Sequence, residues 1–270
     1  FLIYILKILL VILSFQITKA STLERNLKSF YFILISFISV GLINYLFQGG
    51  QLVYREISVV LTLIIFIQFI IGKSKSKYLV LFLGPISCFS IFYSLDRGLV
   101  TNIIFFTFLI NLILNKDFKF LYVCILSLIL SWLSAYYYIG DEFKHFLDNF
   151  SSTLAEINQI GGIIHPVPFS GESNSARAFK NLFLIALSIV ISLDLILKKK
   201  SILPKNFIFI LFIISLICFL TYGYAIGRSD GPHIKSTFGY TIIFYSSLLI
   251  YLMFKFIENK NILLKKNYIN

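Results

Sequence analysis

Charge is scarce in this sequence: 13% of the 270 residues are Asp, Glu, Lys or Arg, about half the share of a soluble domain. With 58% apolar residues and a mean hydropathy of +0.89, that scarcity excludes a water-soluble globular fold. Cysteine is nearly absent. Cys88, Cys124 and Cys218 all lie inside apolar runs, which fits small packing residues and excludes a disulfide framework or a thiolate metal site. No GxGxxG, P-loop, HExxH or paired CxxC occurs, so the cofactor chemistry of soluble enzymes is not indicated. The opening run lacks the charged n-region of a signal peptide and reads as the continuation of a longer or processed chain. A ladder of ionisable groups inside the apolar runs is also missing, which disfavours a coupled ion pump.

What is present is a series of apolar runs along the whole length. A membrane-crossing helix needs about 20 mainly apolar residues, and on that basis spans fall near 1–19, 30–47, 56–72, 78–94, 99–114, 119–139, 180–197, 206–225 and 238–257. The runs are continuously apolar rather than alternating, which favours helices over β-barrel strands. The expected fold is an all-α polytopic transmembrane helix bundle of about nine spans with one interfacial amphipathic helix. Residues 1–270 form a single integral membrane domain.

Basic residues divide unequally between the connections. Lys19, Arg25, Lys28, Lys73, Lys75, Lys77, Lys116, Lys119, Lys198, Lys199, Lys200, Lys205, Lys255, Lys260, Lys265 and Lys266 fall on one side. Only Arg55, Arg97, Lys144, Arg177, Lys180, Arg228 and Lys235 fall on the other. The richer side should face the cytoplasm, and with it the C-terminus. Two thirds of the acidic residues and all three histidines, His145, His165 and His233, belong to the opposite, exterior side. The lysines are spread over short loops and are not interleaved with aromatics, so nucleic acid is not an expected partner. An anionic inner-leaflet surface suffices for them.

Polar chemistry gathers outside. The connection 140–179 begins with a candidate helix over 141–160, where Phe143, Phe146, Leu147, Phe150, Leu154, Ile157 and Ile160 share one face and should lie in the interface plane. Beyond it, Pro166 and Pro168 hold an extended stretch around His165, with Arg177 and Lys180 at the mouth of the next span. A second connection offers Arg228, Ser229, Asp230, His233 and Lys235 within a few residues. Arg228 suits a phosphoryl group; Asp230 can accept a proton or hold a divalent cation; His233 can bind phosphate oxygen or carry a proton. A third, Tyr93-Ser94-Leu95-Asp96-Arg97-Gly98, borders strongly apolar segments, so Asp96 or Arg97 must pair or reach water. Arg55 and Glu56 complete this rim. Hydrogen-bonded turns and rim charge pairs would account for these groups equally well without catalysis.

The Asp96-Arg97-Gly98 and Gly227-Arg228-Ser229-Asp230-Gly231-Pro232-His233 turns, with the long connection after the sixth span, resemble bacterial envelope proteins of many spans. The resemblance is to polyprenyl-phosphate-dependent membrane glycosyltransferases of the GT-C type and, less closely, to O-antigen ligases and polymerases. It implies transfer of a sugar from a polyprenyl-phosphate donor to an envelope acceptor on the extracytoplasmic face of the inner membrane. The donor phosphate would meet Arg228, Lys235, Arg97, Arg177 or His165, and Asp230, Asp96 or His233 would carry the proton. In that family the base is an acidic residue of the first exterior loop, and no residue here matches it. Asp96 and Asp230 are therefore candidates of this sequence itself. A lipid-linked-sugar flippase, a small-solute transporter and a non-catalytic structural subunit are the competing expectations.

Overall fold

The computed structural model describes residues 1–46, 55–72, 74–155, 173–198, 201, 203–226 and 231–267. Its side chains are described for 1–41, 55–72, 78–153, 176–198, 201, 203–223 and 238–260. Ten α-helices occur among these residues: α1 (Leu2–Ala20), α2 (Arg25–Leu46), α3 (Glu56–Ile71), α4 (Leu83–Tyr93), α5 (Leu95–Leu114), α6 (Phe118–Ile139), α7 (Glu142–Ala155), α8 (Ser173–Leu197), α9 (Lys205–Ile226) and α10 (Gly231–Asn267). A 3-10 stretch, Ser74–Phe82, leads into α4.

Six of these helices are long and apolar enough to cross a membrane: α1, α5, α6, α8, α9 and α10. The expected nine spans are thereby corrected to six among the described residues. The run read as 56–72 forms a helix of 16 residues, about 24 Å at 1.5 Å per residue against a hydrocarbon core of about 30 Å. The run read as 78–94 is divided between the 3-10 stretch and the 11 residues of α4. That read as 30–47 belongs to α2, whose side chains are described only as far as residue 41 and which is not among the six.

Side-chain contacts give the helix directions. Gln16 of α1 donates to Ile64 O of α3 at 3.1 Å, Thr101 of α5 to Ser58 of α3 at 3.2 Å, and Thr241 of α10 to Asn181 of α8 at 3.3 Å. With Tyr240 of α10 against Glu56 of α3, α1, α3, α5, α8 and α10 run one way. α2, α4 and α9 run the other, as Tyr31 with Ser247, Ser87 with Asn102 and Tyr222 with Ala178 show, and α6 runs with α4, Ser127 meeting Leu81 O and Trp132 meeting Phe92. The bundle therefore has a lysine-rich end and an acidic end.

α9 is the central helix. It is apolar on every face, which in a bundle demands burial on every face, and Phe207, Ile210, Leu211, Ile214, Ile217 and Cys218 are fully enclosed. α6 is equally apolar, but only Cys124 and Ser127 are buried, and it forms an outer wall. Phe37, Phe106, Leu126, Phe183, Leu249 and Phe256 are all more than half exposed. A continuous apolar surface of this kind is tolerated against hydrocarbon and not against water. The protein is an all-α, polytopic integral membrane protein.

α7 leaves the end of α6 after Gly140. Its apolar stripe rests on the bundle: Phe143 meets Tyr136 at 5.4 Å between ring centres, and Phe146 meets Phe92 of α4 at 4.4 Å. Asp148 and Asn149 are exposed on the other face. Residues 156–160 of the expected 141–160 helix lie outside the described residues.

Candidate functional site

The acidic end contains a knot of four charges drawn from two helix starts. Glu56 opens α3, where a carboxylate complements the unpaired N–H groups of the first turn. Asp96 and Arg97 occupy the first turn of α5, and the parallel course of the two helices sets 56 beside 97 and 58 beside 101. Arg97 Nε donates to Glu56 Oε1, and both side chains are 2% exposed. Arg97 Nη1 is 3.4 Å from Asp96 Oδ2, and Arg55 Nη1 is 3.9 Å from Asp96 Oδ1. Ser94, just before α5, donates its hydroxyl to Asp96.

Close approach of α4 and α5 makes this placement possible. A Cβ on Gly98 would lie 2.7 Å from Ser90 O and 2.8 Å from Ile91 Cα, so only glycine lets the first turn of α5 sit against the last turns of α4. One turn further, Asn102 donates to Gly98 O at 2.8 Å and to Ser87 O at 3.1 Å. These bonds fix the direction in which Arg97 leaves its helix.

A third helix closes the knot. Tyr240 of α10, fully buried, donates its hydroxyl to Glu56 Oε2 at 2.7 Å. Both carboxylate oxygens of Glu56 are thus engaged, one by a guanidinium and one by a phenol. The group sums to zero formal charge: Arg55 and Arg97 against Glu56 and Asp96. Such an arrangement binds helices together and excludes an isolated buried charge. Asp96 Oδ1 accepts from Ser94, while Oδ2 is buried, among the described residues, with no hydrogen-bond partner and only the Arg97 ion pair beside it.

α8 brings further cations to this end. Arg177 and Lys180 are exposed in its first turns, and α8 is held by Tyr222 to Ala178 O at 2.9 Å, Thr241 to Asn181 at 3.3 Å and Tyr245 to Leu184 O at 2.7 Å. The pairing of 181 with 241 sets Lys180 at the height of Tyr240 along the bundle.

Of the residues singled out in the sequence, Asp96 and Arg97 are brought together with Arg55 and Glu56, and Arg177 stands on α8 at the same end. His165, Arg228 and Asp230 lie outside the described residues. His233 and Lys235 fall within the first two turns of α10, but their side chains lie outside the description. Tyr240 escaped the sequence reading, being one of 16 tyrosines in an apolar run. The available signal was Glu56 and Arg97, opposite charges at equivalent depths of two neighbouring apolar segments, which demand each other and a further hydrogen-bond donor.

Among the described residues no three His, Cys, Asp or Glu side chains are grouped to hold a metal ion. The chain matches no protein-family model, no curated protein and no solved structure with which it was compared.

Proposed function

We propose that the protein is a membrane glycosyltransferase that moves a sugar from a polyprenyl-phosphate donor to an envelope acceptor at the acidic end of the bundle. The observation that carries this reading is the knot itself, because it fixes α10 to α3 and α5. α10 begins at Gly231, immediately after Arg228-Ser229-Asp230 in the sequence. Tyr240 lies nine residues further on, about 14 Å along the helix axis. In this reading the knot holds a strut whose first residue follows directly in sequence on Arg228-Ser229-Asp230, the residues proposed to bind phosphate and accept a proton.

In this reading the acidic end is extracytoplasmic, the lysine-rich end and C-terminus are cytoplasmic, and the membrane is a bacterial inner membrane. The polyprenyl tail lies on the apolar outer surface of the bundle, and the phosphate is held by Arg228, Lys235 and Arg177. The acceptor hydroxyl oxygen attacks the anomeric carbon while the bond from that carbon to the phosphate oxygen breaks. Polyprenyl phosphate leaves with the electron pair, and the hydroxyl proton passes to Asp230, with His233 beside it. Attack opposite the leaving group inverts the anomeric centre. Asp96 and Arg97 serve as positioning residues through the knot.

The test is transfer of radiolabelled hexose from polyprenyl-phosphate hexose in proteoliposomes to an added glycan acceptor. Wild-type protein should form product, and Asp230→Asn should lose about 10²-fold or more of the rate while still binding the donor. Donor movement between leaflets without product would replace this reading by a flippase. Neither transfer nor movement would leave a structural subunit.

A further inference from the structure

We infer that the lysine-rich end carries a binding site for an anionic phospholipid, in a cleft between α3, α5, α8 and α9. The cleft measures about 760 Å³, within the range of small-molecule sites, and lies at the opposite end of the bundle from the charge knot. It does not depend on the glycosyl-transfer reading. Its mouth is polar: Lys198 closes α8, Lys205 and Asn206 open α9, and the Asn111–Asn115 pair ends α5. Its depth is apolar, with Phe69 of α3 and Phe209 and Phe212 of α9 forming the walls.

That division matches one kind of occupant. Phe212 stands seven residues beyond Lys205 on the same helix, about 10 Å deeper along the axis, so a charged head and an acyl chain are accommodated along one line. Ile196, 45% exposed, forms an outer lip. The charge is complementary to phosphate: Lys198 and Lys205 line the mouth against Asp117. Lys198 is committed to Asp194 at 2.5 Å. Lys205 makes no ion pair among the described residues and is the cation placed to meet a phosphate diester, with the Asn206 amide beside it. Asp117, also at the rim, disfavours a second negative charge close to the first and selects a singly charged headgroup.

The experiment is native mass spectrometry of the detergent-solubilised full chain after incubation with phosphatidylglycerol, phosphatidylcholine or inorganic phosphate, read with the thermal midpoint. Phosphatidylglycerol should remain bound through gas-phase activation and raise the midpoint, whereas phosphatidylcholine and inorganic phosphate should do neither. Lys205→Gln should lower phosphatidylglycerol occupancy about fivefold, and Lys260→Gln, at the same end but outside the cleft, should leave it unchanged. Ser201→Trp, filling the mouth, should abolish it without touching a charge. Equal retention of phosphatidylcholine, occupancy in Lys205→Gln equal to that of wild type, or a full effect from inorganic phosphate alone would each overturn the proposal.

Discussion

Arg97 is the side chain on which most depends. It is 2% exposed and faces two carboxylates, so its removal leaves buried Glu56 with the Tyr240 hydroxyl and no cation, and Asp96 with Ser94 and Arg55. Arg97→Met should cost about 3–5 kcal/mol, because breaking a buried pair from one side strands the other charge. The double variant Arg97→Met with Glu56→Leu should cost less than the sum of the single changes, by an interaction of about 1–3 kcal/mol. Reversible unfolding in mixed micelles, arranged as a double-mutant cycle, measures both; additive effects would mean that the pair is not coupled. Arg97→Lys should not restore the wild-type value, since an ammonium cannot reproduce the fork that meets Glu56 and Asp96 together. Tyr240→Phe deletes one donor while keeping the ring, and should cost about 1–3 kcal/mol for the Glu56 oxygen left without it.

At the scale of the element, the junctions between helices carry the information that apolar runs do not. α5 ends in a Schellman arrangement: Lys116 N–H donates to Ile113 O at 3.0 Å and Asp117 N–H to Leu112 O at 2.9 Å. Lys116 supplies the left-handed residue, with φ of 58°, a conformation that costs an L side chain about 1 kcal/mol. Lys116→Gly should therefore stabilise the protein by up to about that amount, readable as a raised unfolding midpoint. Gly98→Ala should do the opposite, driving α4 and α5 apart against backbone atoms within 3 Å. Long helices such as α6 and α9 were legible in the sequence because unbroken apolar residues leave no other way to satisfy the backbone in lipid. α4 was not, since a 3-10 stretch and an α-helix share one apolar composition and differ only in hydrogen-bond register. Likewise the Asp96–Arg97 cluster was visible as charge beside apolar segments. Its partners were visible only in part: helix direction and depth brought Glu56 to Arg97, and nothing local marked Tyr240.

For the whole molecule, the unequal share of basic residues between the two sets of connections predicts an orientation in the membrane. In the sequence, sixteen Lys and Arg residues fall in one set of connections and seven in the other, and an excess of basic residues on the cytoplasmic side predicts that the richer set faces inward. The native cysteines suit a labelling test, because Cys88, Cys124 and Cys218 are buried at 4%, 0% and 0% exposure. A membrane-impermeant maleimide should leave the wild-type chain unlabelled in sealed cells. Lys144→Cys, on the exposed face of α7, should label before lysis; Lys198→Cys and Lys260→Cys should label only after the membrane is opened. The reverse pattern would place the charge knot in the cytoplasm, where an extracytoplasmic sugar transfer has no acceptor. It would leave the lipid cleft intact, because phosphatidylglycerol is available to either leaflet and the lysines that meet it move with the cleft.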